Sequence, residues 1–553
     1  MKNERQHRSR VWVVGILFII LWFLLLWRMV DLTVVDRLFL QGQGNARSLR
    51  MMLVPAYRGM IIDREGGALA VSTPVHSLWV NPKVFQPTQK QLRSLARRLD
   101  LSVKFLQQRI HDASGRGFMY LKRQINPMLA KEIEDLNIPG LHFQEEFKRF
   151  YPEADSIAQL LGFTNVDDKG IEGLELAYNH WLAGYSGQIR VIKDRMGRVI
   201  KVLDTVKDPQ PGHLLQLSVD RRIQYFAYNA LQKTIEKFGA KSGSVVVLDT
   251  QNGEVLALVN APSFNPNARS NYALNRYRNQ ALTDTFEPGS VMKPLSIASA
   301  LDTGSFVPSS IIDTRPGWMT VQGHTIRDVH HYGVLDVTGV LRYSSNVGVT
   351  KMVLTHPAEQ LMGLLTRAGI GQRTESGYPG ESEGSMVKVS MANPFVLATL
   401  SFGYGMSVTA MQVAKSYLMF ANHGEILPIR LLRQQQPAVG VQVISAKTAD
   451  QVLTMMEAVV NDGTGKSGMV PGYRVAGKTG TARVAGKNGY GELRYLSSFV
   501  GIAPVSNPRL IVAVFIHEPS KGGYYGAAVA APLFANVMGT ALRILHVPPD
   551  RPL

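Results

Sequence analysis

FEPGSVMKP, residues 286–294, places a serine and a lysine three positions apart directly after a Pro-Gly turn. Ser290 can open a helix after such a turn. On a helix Ser290 and Lys293 would share one face, with about 5–6 Å between their Cβ atoms. A lysine there can take the proton of a serine nucleophile if its pocket disfavours the ammonium form. The stretch therefore predicts Ser290 as a nucleophile and Lys293 as its base.

A Ser-x-x-Lys pattern alone is a weak signal, because Ser385 and Lys388 fit it as well. Two further motifs raise the specificity. Ser344-Ser345-Asn346 is a Ser-x-Asn, whose first hydroxyl can relay a proton and whose amide can hold a substrate amide. In Lys478-Thr479-Gly480-Thr481, Lys and Thr can bind a carboxylate and Gly lets a peptide backbone approach closely.

The segments on either side of these motifs predict the fold around them. Ser242 to Ala261 contains two β-rich runs joined by Thr250-Gln251-Asn252-Gly253, and Asn-Gly between apolar runs is a strong hairpin signal. Phe499 to Pro504 and Leu510 to His517 make a second such pair. Strands at both ends with helices between them predict an α+β domain, an antiparallel sheet flanked by helices.

Upstream of this domain, residues from Asp31 to about Pro211 combine apolar strand-like runs with polar helical stretches. There is no βαβ rhythm and no tandem repeat, so we expect an extended α+β module. Asp, Pro and Gly cluster around Lys207 to Gly212 and indicate a boundary there.

The N-terminal segment predicts a membrane anchor. Val11 to Trp27 is an uncharged apolar run after a basic flank, and as a helix it would be about 26 Å long. That length suits a bilayer core of about 30 Å. The basic flank predicts a cytoplasmic N-terminus, with everything after Arg28 outside. A cleaved signal peptide is the alternative, but the run is bulky and no small-x-small site follows it.

The composition excludes several kinds of chemistry. The chain has 553 residues, a net charge of +18 and no cysteine, which rules out a disulfide framework and a Cys nucleophile. A basic surface suits anionic lipids, acidic polymers or nucleic acid, but no nucleic-acid-binding module is recognisable and we expect no nucleic-acid partner. His324, Asp328, His330 and His331 have no recognised zinc spacing, so no metal site is expected.

The ordered motifs Ser290-x-x-Lys293, Ser344-x-Asn346 and Lys478-Thr479-Gly480 resemble those of the penicillin-recognising serine acyltransferases. Within that group, Phe286 to Ser290 and Tyr343 to Gly348 are most similar to the division-specific FtsI type, penicillin-binding protein 3.

The resemblance extends to the N-terminal half of the chain, where four stretches are similar to class B penicillin-binding proteins. They are Arg47 to Arg50, Arg58 to Arg64, Arg149 to Pro152 and Gly170 to Glu175. One departure is visible: Glu153-Ala154 follows Tyr151-Pro152, where the family often has a glycine.

This resemblance implies a division of the chain into five parts. They are a cytoplasmic tail (1–10), a transmembrane anchor (11–30), a non-catalytic, dimerisation-like pedestal (31–212), a transpeptidase domain (213–545) and a C-terminal tail (546–553).

The resemblance also implies a serine D,D-transpeptidase of the division septum, without a cofactor, that cross-links peptidoglycan stem peptides and is blocked by β-lactam antibiotics. The catalytic domain would be periplasmic, on the inner membrane, and the implied partners are an FtsW-type septal glycosyltransferase and other divisome proteins. The resemblance implies Ser290 as nucleophile, Lys293 as general base and Ser344 as proton relay, with the N–H groups of Ser290 and Thr481 as the oxyanion hole. It implies that Asn346 contacts the donor peptide and that Lys478, Thr479 and Thr481 bind its terminal carboxylate. Gly480 would allow the close approach of the peptide backbone, and Tyr524 and Tyr525 would form a wall of the pocket.

Other interpretations stay open. An elongation-type class B transpeptidase usually has Pro-Pro-Gly-Ser at the nucleophile. A β-lactamase or D,D-carboxypeptidase would share the acyl-serine chemistry, and class A β-lactamases deacylate with a Glu between the second and third motifs. Glu375, Glu381 and Glu383 lie in that interval, in a stretch unlike that loop. A non-catalytic β-lactam sensor or septal scaffold is the alternative from another class.

Overall fold

A computed structural model describes residues 2–194, 199–269, 272–388, 393–484 and 493–552. Its contacts divide the chain into two compact units. The smaller unit comprises Met1–Tyr57, Pro74–Phe147 and Gly184–Pro211, and the larger unit comprises Arg58–Thr73, Lys148–Ala183 and Gly212–Leu553. Two segments of the expected pedestal therefore belong to the larger unit, and the five-part division given above stays a prediction.

The smaller unit begins with the helix Lys2–Val30, which continues as a π-helical stretch, Asp31–Val35. Residues Arg10–Val35, which cover most of the helix and the π-helical stretch, are strongly apolar, and their most apolar part is not buried at all. This helix therefore fits a membrane anchor. Among the described residues one other helix, Gly526–Ile544, is long and apolar enough to cross a bilayer. More than half of its apolar stretch is buried, as expected of a core helix.

The rest of the smaller unit is α+β. Thr88 and Gln91 form a capping box at the start of the helix Gln89–Leu99, which buries Leu92, Leu95 and Leu99. The predicted polar helical stretch is thus confirmed.

The remaining part of the smaller unit consists of helices, single strands and one antiparallel sheet. Its helices are Arg37–Ser48, Gln89–Leu99, Val103–Asp112 and Pro127–Glu134. Its strands are Met119–Ile125, most of Leu141–Phe150, the second half of Ala68–Val80, and the antiparallel sheet of Leu49–Val54, Gly187–Lys193 and Val199–Lys207.

The larger unit is built on a five-stranded antiparallel sheet, the central sheet. Both predicted hairpins are confirmed, and the first strand of one pairs with the last strand of the other. The fold class is therefore the α+β arrangement expected from the sequence. In spatial order the strands are Val255–Ala261, Ser242–Asp249, Leu510–His517, Tyr495–Ala503 and Ala476–Arg483.

Helices cover both faces of the central sheet. Val245 and Val247 of one strand belong to the apolar cluster that contains residues of the helices Arg221–Phe238 and Gly526–Ile544. Val246 and Leu248 belong instead to the cluster of the helices between the hairpins. Side chains alternate across a strand, so a strand buried on both faces is apolar at every position. The helices between the hairpins are Gln280–Thr283, Lys293–Leu301, Val337–Arg342, Asn346–Val353, Ala358–Arg367, Pro394–Ser401, Ala410–Ser416, Leu418–Ala421 and Ala446–Asp462.

Short elements complete the larger unit. They are the strand pairs Ile61–Ile62 with Leu215–Gln216, Phe163–Thr164 with Gly170–Glu172, Ile311–Asp313 with Val334–Asp336, Trp318–Val321 with His324–Arg327, Ser385–Met386 with Met406–Ser407 and Glu425–Ile426 with Val441–Gln442, and the helices Ala158–Leu161, Gly173–Ala177 and Asn179–Ala183.

Three of the family-like stretches from the N-terminal half meet in a buried ion cluster of the larger unit. Glu175 is fully buried and pairs with Arg58 and with Arg149, each at 2.6 Å. The hydroxyl of Tyr151 lies 3.5 Å from the same carboxylate. One buried anion thus compensates two buried guanidinium groups and joins segments more than a hundred residues apart in sequence.

The departure from the family pattern falls in a strained turn. Ala154, where the family often has glycine, has φ = 45°, which is the left-handed region. An L-residue with a Cβ is disfavoured there, whereas glycine is not.

Candidate active site

Ser290 lies in a 3₁₀ turn, Gly289–Met292, and Lys293 is the first residue of the helix Lys293–Leu301. The sequence suggested one continuous helix. In a 3₁₀ turn residues i and i+3 are nearly eclipsed, so the turn still directs the two side chains to one side. Gly289 has φ = 64° and its N–H donates to the carbonyl of Gly403 at 3.0 Å. The turn therefore depends on glycine at the position before the serine.

Lys293 is fully buried, and its Nζ donates to the carbonyl of Ser344 at 2.5 Å and to the Ser344 hydroxyl at 3.0 Å. Burial disfavours the ammonium form and lowers the pKa of Lys293 to about 7, against an opposing effect of the negative charge on Asp328. Near neutral pH a large fraction of this lysine is therefore uncharged and able to accept a proton.

The Ser-x-Asn motif is held by an acidic residue that the sequence analysis assigned no role at this site. Asp328 accepts hydrogen bonds from the Ser345 hydroxyl at 2.7 Å and from the backbone N–H groups of Asn346 and Val347 at 2.5 and 3.0 Å. Ser345 also caps the helix Asn346–Val353. Ser344 has φ = 62°, a conformation that non-glycine residues adopt only where their surroundings impose it.

The side-chain amide of Asn346 is partly engaged within the protein, because its Nδ2 donates to the carbonyl of Arg327 at 2.8 Å. This bond fixes the orientation of the amide, as a group that contacts substrate requires.

The Lys-Thr-Gly motif lies on the edge strand of the central sheet, Ala476–Arg483. Lys478 is fully buried, and its Nζ donates to the Thr479 carbonyl at 3.0 Å. Burial holds the pKa of Lys478 well below its ordinary value, and the positive charge of Lys293 acts in the same direction. The two lysines thus influence each other's protonation across one site.

The two threonines of this motif are fixed by separate contacts. The hydroxyl of Thr479 lies 3.0 Å from that of Thr464, a residue of the glycine-rich segment Asn461 to Ser467. The hydroxyl of Thr481 accepts the N–H of Gly526 at 3.0 Å. Both contacts join the edge strand to segments outside it.

Gly480 is required by close packing against the nucleophile turn. A Cβ at this position would lie 2.3 Å from Ser498 Oγ and 3.0 Å from Val291 Cγ1. The edge strand and the serine turn are therefore in direct contact, which places the first and third motifs side by side.

Tyr524 and Tyr525 are part of a stack of three tyrosines. The ring of Tyr524 lies 4.0 Å from that of Tyr495 and 4.6 Å from that of Tyr525, with interplanar angles of 13° and 30°. Tyr525 is 51% exposed. The stack starts at the edge-strand end of the site and offers an aromatic surface to solvent.

The structure separates the second Ser-x-x-Lys pattern from the first. Ser385 lies in a short strand, Ser385–Met386, rather than in a helical turn. Lys388 lies beyond the end of this strand, so the helical spacing that brings a serine and a lysine to one face is absent here. Of the three glutamates in the same interval, Glu381 is buried and accepts bonds from the N–H of Thr374 at 2.8 Å and the hydroxyl of Ser376 at 3.2 Å.

Comparison with known proteins gives consistent results over the whole chain. Residues 243–539 match the family described as penicillin binding protein transpeptidase domain, and residues 53–217 match the penicillin-binding protein dimerisation domain. The chain is 41% identical over 551 residues to a probable peptidoglycan D,D-transpeptidase, PbpC, of Pseudomonas aeruginosa, covering 100% of this chain and 97% of that protein.

Two further matches agree. The chain is 39% identical over 560 residues to the peptidoglycan D,D-transpeptidase FtsI of Escherichia coli K12, covering 99% of this chain and 95% of that protein. A crystal structure of penicillin-binding protein 3 from Mycobacterium tuberculosis, complexed with aztreonam, aligns with a TM-score of 0.71 at 27% identity and covers 91% of this chain and 99% of that one.

Proposed function

The chain belongs to the class B penicillin-binding protein family of peptidoglycan D,D-transpeptidases, and we propose that it works through an acyl ester on Ser290. The Ser290 oxygen attacks the carbonyl between the two terminal D-alanines of a stem peptide. A C–O bond forms, the C–N bond breaks, and the proton of Ser290 passes to Lys293. The terminal D-alanine leaves after its nitrogen receives a proton through Ser344.

In the second step the amine of a neighbouring stem peptide attacks the ester. A new amide bond forms, the ester bond to Ser290 breaks, and the serine recovers its proton. Lys478, Thr479 and Thr481 hold the terminal carboxylate of the donor. The N–H groups of Ser290 and Thr481 stabilise the oxyanion, and Asn346 contacts the donor peptide.

The observation that carries this proposal is the environment of Lys293. A buried lysine with a pKa of about 7, bonded to the hydroxyl of Ser344 at 3.0 Å, combines a base that is partly free at neutral pH with a route for its proton. A lysine with an ordinary pKa would be almost entirely protonated at that pH and could not act as a base.

The experiment that tests this proposal is labelling with a fluorescent penicillin, comparing the wild-type chain with Ser290→Ala and Ser385→Ala. Stable label that is lost only in Ser290→Ala is the expected result. Label that forms and decays within seconds would indicate a β-lactamase. Absence of label on folded wild-type chain would reject the hypothesis of an acyl-serine enzyme and leave that of a non-catalytic septal scaffold.

We also propose that the chain acts at the division septum, with its N-terminus in the cytoplasm, its catalytic domain in the periplasm and an FtsW-type glycosyltransferase and other divisome proteins as partners. The similarity to FtsI and the apolar N-terminal helix support this placement. Replacing residues 11–30 with an unrelated single span should then reduce septal recruitment while leaving penicillin labelling intact. Unchanged recruitment would show that the anchor sequence carries no partner contact.

A further inference from the structure

Four aromatic side chains form a row on one side of the smaller unit, which we call the aromatic face: Trp79, Phe118, Tyr120 and His142. The ring of Trp79 lies 4.4 Å from that of His142, with an interplanar angle of 27°, and 4.9 Å from that of Phe118, with an angle of 35°. Phe118 meets Tyr120 edge to face at 4.8 Å. The ring of Trp79 is therefore stacked on that of His142 and tilted against that of Phe118.

The aromatic face is distinct from the core of the unit. Leu78 and Val80, on either side of Trp79 in sequence, are fully buried in the apolar cluster beneath the helices. Trp79, between them, is only partly buried, and its ring contacts Phe118 and His142 instead. Tyr120 is its cross-strand partner and lies on the same side. Phe118 is 44% exposed and belongs to none of the apolar clusters.

Polar groups fixed by hydrogen bonds lie beside these rings. The Tyr120 hydroxyl donates within 3.1–3.2 Å to Gln144 and Glu146. Arg123 pairs with Glu146 at 3.1 Å, and its guanidinium lies 5.0 Å from the centre of the Tyr120 ring. Ser77 donates to the same carboxylate at 2.6 Å. The rim thus holds amide, carboxylate and guanidinium groups in fixed positions, with the guanidinium of Arg123 paired to the carboxylate of Glu146.

We propose that the aromatic face binds the glycan backbone of peptidoglycan, an inference that rests on the proposed function because the stem peptides are attached to that glycan. A pyranose ring presents several C–H bonds on one side, and their slightly positive hydrogens are attracted to the negative face of an aromatic ring. Its hydroxyl and acetamido groups, at the ring edge, find acceptors and donors in the polar rim.

The same features argue against other occupants. An anionic lipid surface or a nucleic acid would call for a cluster of unpaired cations, whereas Arg123 is paired with Glu146. A protein-binding patch has an apolar core depleted of charge, whereas here a carboxylate and a guanidinium are hydrogen-bonded beside the rings. Stacked rings with a polar rim match a carbohydrate best.

Binding is tested on the full chain in detergent with soluble glycan strands of alternating N-acetylglucosamine and N-acetylmuramic acid, from which an amidase has removed the peptides. Phe118→Ala removes the exposed ring and should raise the Kd about tenfold. Phe105→Ala is the matched control. Phe105 is 49% exposed in the same unit, a fraction similar to that of Phe118, but it lies on the helix Val103–Asp112, outside the row.

The expected pattern is weaker glycan binding in Phe118→Ala, wild-type binding in Phe105→Ala and in Ser290→Ala, and wild-type penicillin labelling in both phenylalanine variants. Tyr120→Phe, which keeps the ring and removes the hydroxyl, should weaken binding to a smaller extent. Equal Kd values for wild type and Phe118→Ala, or no glycan binding by wild type, would overturn the proposal. A Phe118→Ala chain that binds glycan normally but loses recruitment by other septal proteins would identify a protein-binding surface instead. The penicillin label reports the proposed function independently in each variant.

Discussion

Lys293 and Ser344 are joined through a single nitrogen, because Nζ reaches both the carbonyl of Ser344, at 2.5 Å, and its hydroxyl, at 3.0 Å. A neutral amine has two N–H bonds and one lone pair. The neutral amine can therefore keep its bond to the carbonyl and, in place of donating to the hydroxyl, accept a hydrogen bond from it. The left-handed conformation of Ser344, with φ = 62°, presents both oxygens to the lysine. Backbone geometry at the second motif therefore orients Lys293 of the first.

The rate of acylation should follow the ionisation of Lys293. Because the base must be uncharged, and its pKa is lowered to about 7, the second-order rate constant for acylation by a penicillin should rise between pH 6 and pH 8 and then level off. Stopped-flow measurements with a chromogenic cephalosporin give this profile. Lys293→Ala should be slow and nearly independent of pH. A wild-type profile that is flat across this range would exclude Lys293 as the titrating base.

Asp328 should influence both the position of the Ser-x-Asn motif and the pKa of Lys293. Asp328→Asn weakens the bonds to Ser345 and Asn346, so acylation should slow about tenfold. The negative charge of Asp328 raises the pKa of Lys293, so its removal should move the midpoint of the pH profile to lower pH. Asp336→Asn is the control, because Asp336 caps a different helix, Val337–Arg342. A slower reaction with an unchanged midpoint would mean that Asp328 acts by position alone.

Sequence patterns predicted the parts of the site that are local in the chain. The serine and lysine of the first motif, the Ser-x-Asn and the Lys-Thr-Gly could each be identified from short spacing. Asp328 could not, because its contacts depend on how separate segments pack. Asp328 follows the short strand His324–Arg327, which has no strong periodicity, and its acidic side chain could equally have been ordinary polar surface.

The hairpins of the central sheet were predictable because Asn-Gly and the apolar runs fix them locally. The membership of Arg58–Thr73 and Lys148–Ala183 in the larger unit was not predictable, because these segments are held by the buried pairs that Glu175 makes with Arg58 and Arg149. Such pairs form between residues that are far apart in sequence and leave no periodic signal.

Gly480→Ala should block the site by overlap with Ser498. The added Cβ would lie 2.3 Å from Ser498 Oγ and 3.0 Å from Val291 Cγ1, so the edge strand and the turn that carries Ser290 must move apart. Acylation should fall about a hundredfold, since small displacements of a catalytic group have effects of that size. The buried Ser498 hydroxyl has no hydrogen-bond partner among the described residues, so Ser498→Ala should fold normally. The double variant Gly480→Ala/Ser498→Ala should recover part of the rate, and equal rates for the single and double variants would contradict the overlap.

Ala154→Gly should stabilise the larger unit, although glycine usually destabilises. Ala154 has φ = 45°, where an L-residue is strained by about 1–2 kcal/mol, and part of that gain is offset by the greater chain entropy of glycine. A net effect of about 1 kcal/mol would raise the Tm of a unit of this size by about 1 °C. Ala158→Gly, in the helix Ala158–Leu161, is the control and should lower the Tm. A lower Tm for Ala154→Gly would show that the turn is not strained.

Glu175→Gln should be the most destabilising of these changes, although it alters only one atom. The carboxylate is fully buried and compensates two guanidinium groups at 2.6 Å, Arg58 and Arg149. A neutral amide removes the carboxylate with which both buried guanidinium groups pair, and removing one member of a buried ion cluster costs about 3–5 kcal/mol. Glu153→Gln is the matched control. Its carboxylate is 20% exposed and lies 3.7 Å from Arg221, so the loss there should be below about 1 kcal/mol. Thermal unfolding of the full chain in detergent should show a Tm about 4–6 °C lower for Glu175→Gln and nearly unchanged for Glu153→Gln. Similar Tm values for the two variants would mean that the cluster orders the N-terminal segments without contributing to their stability.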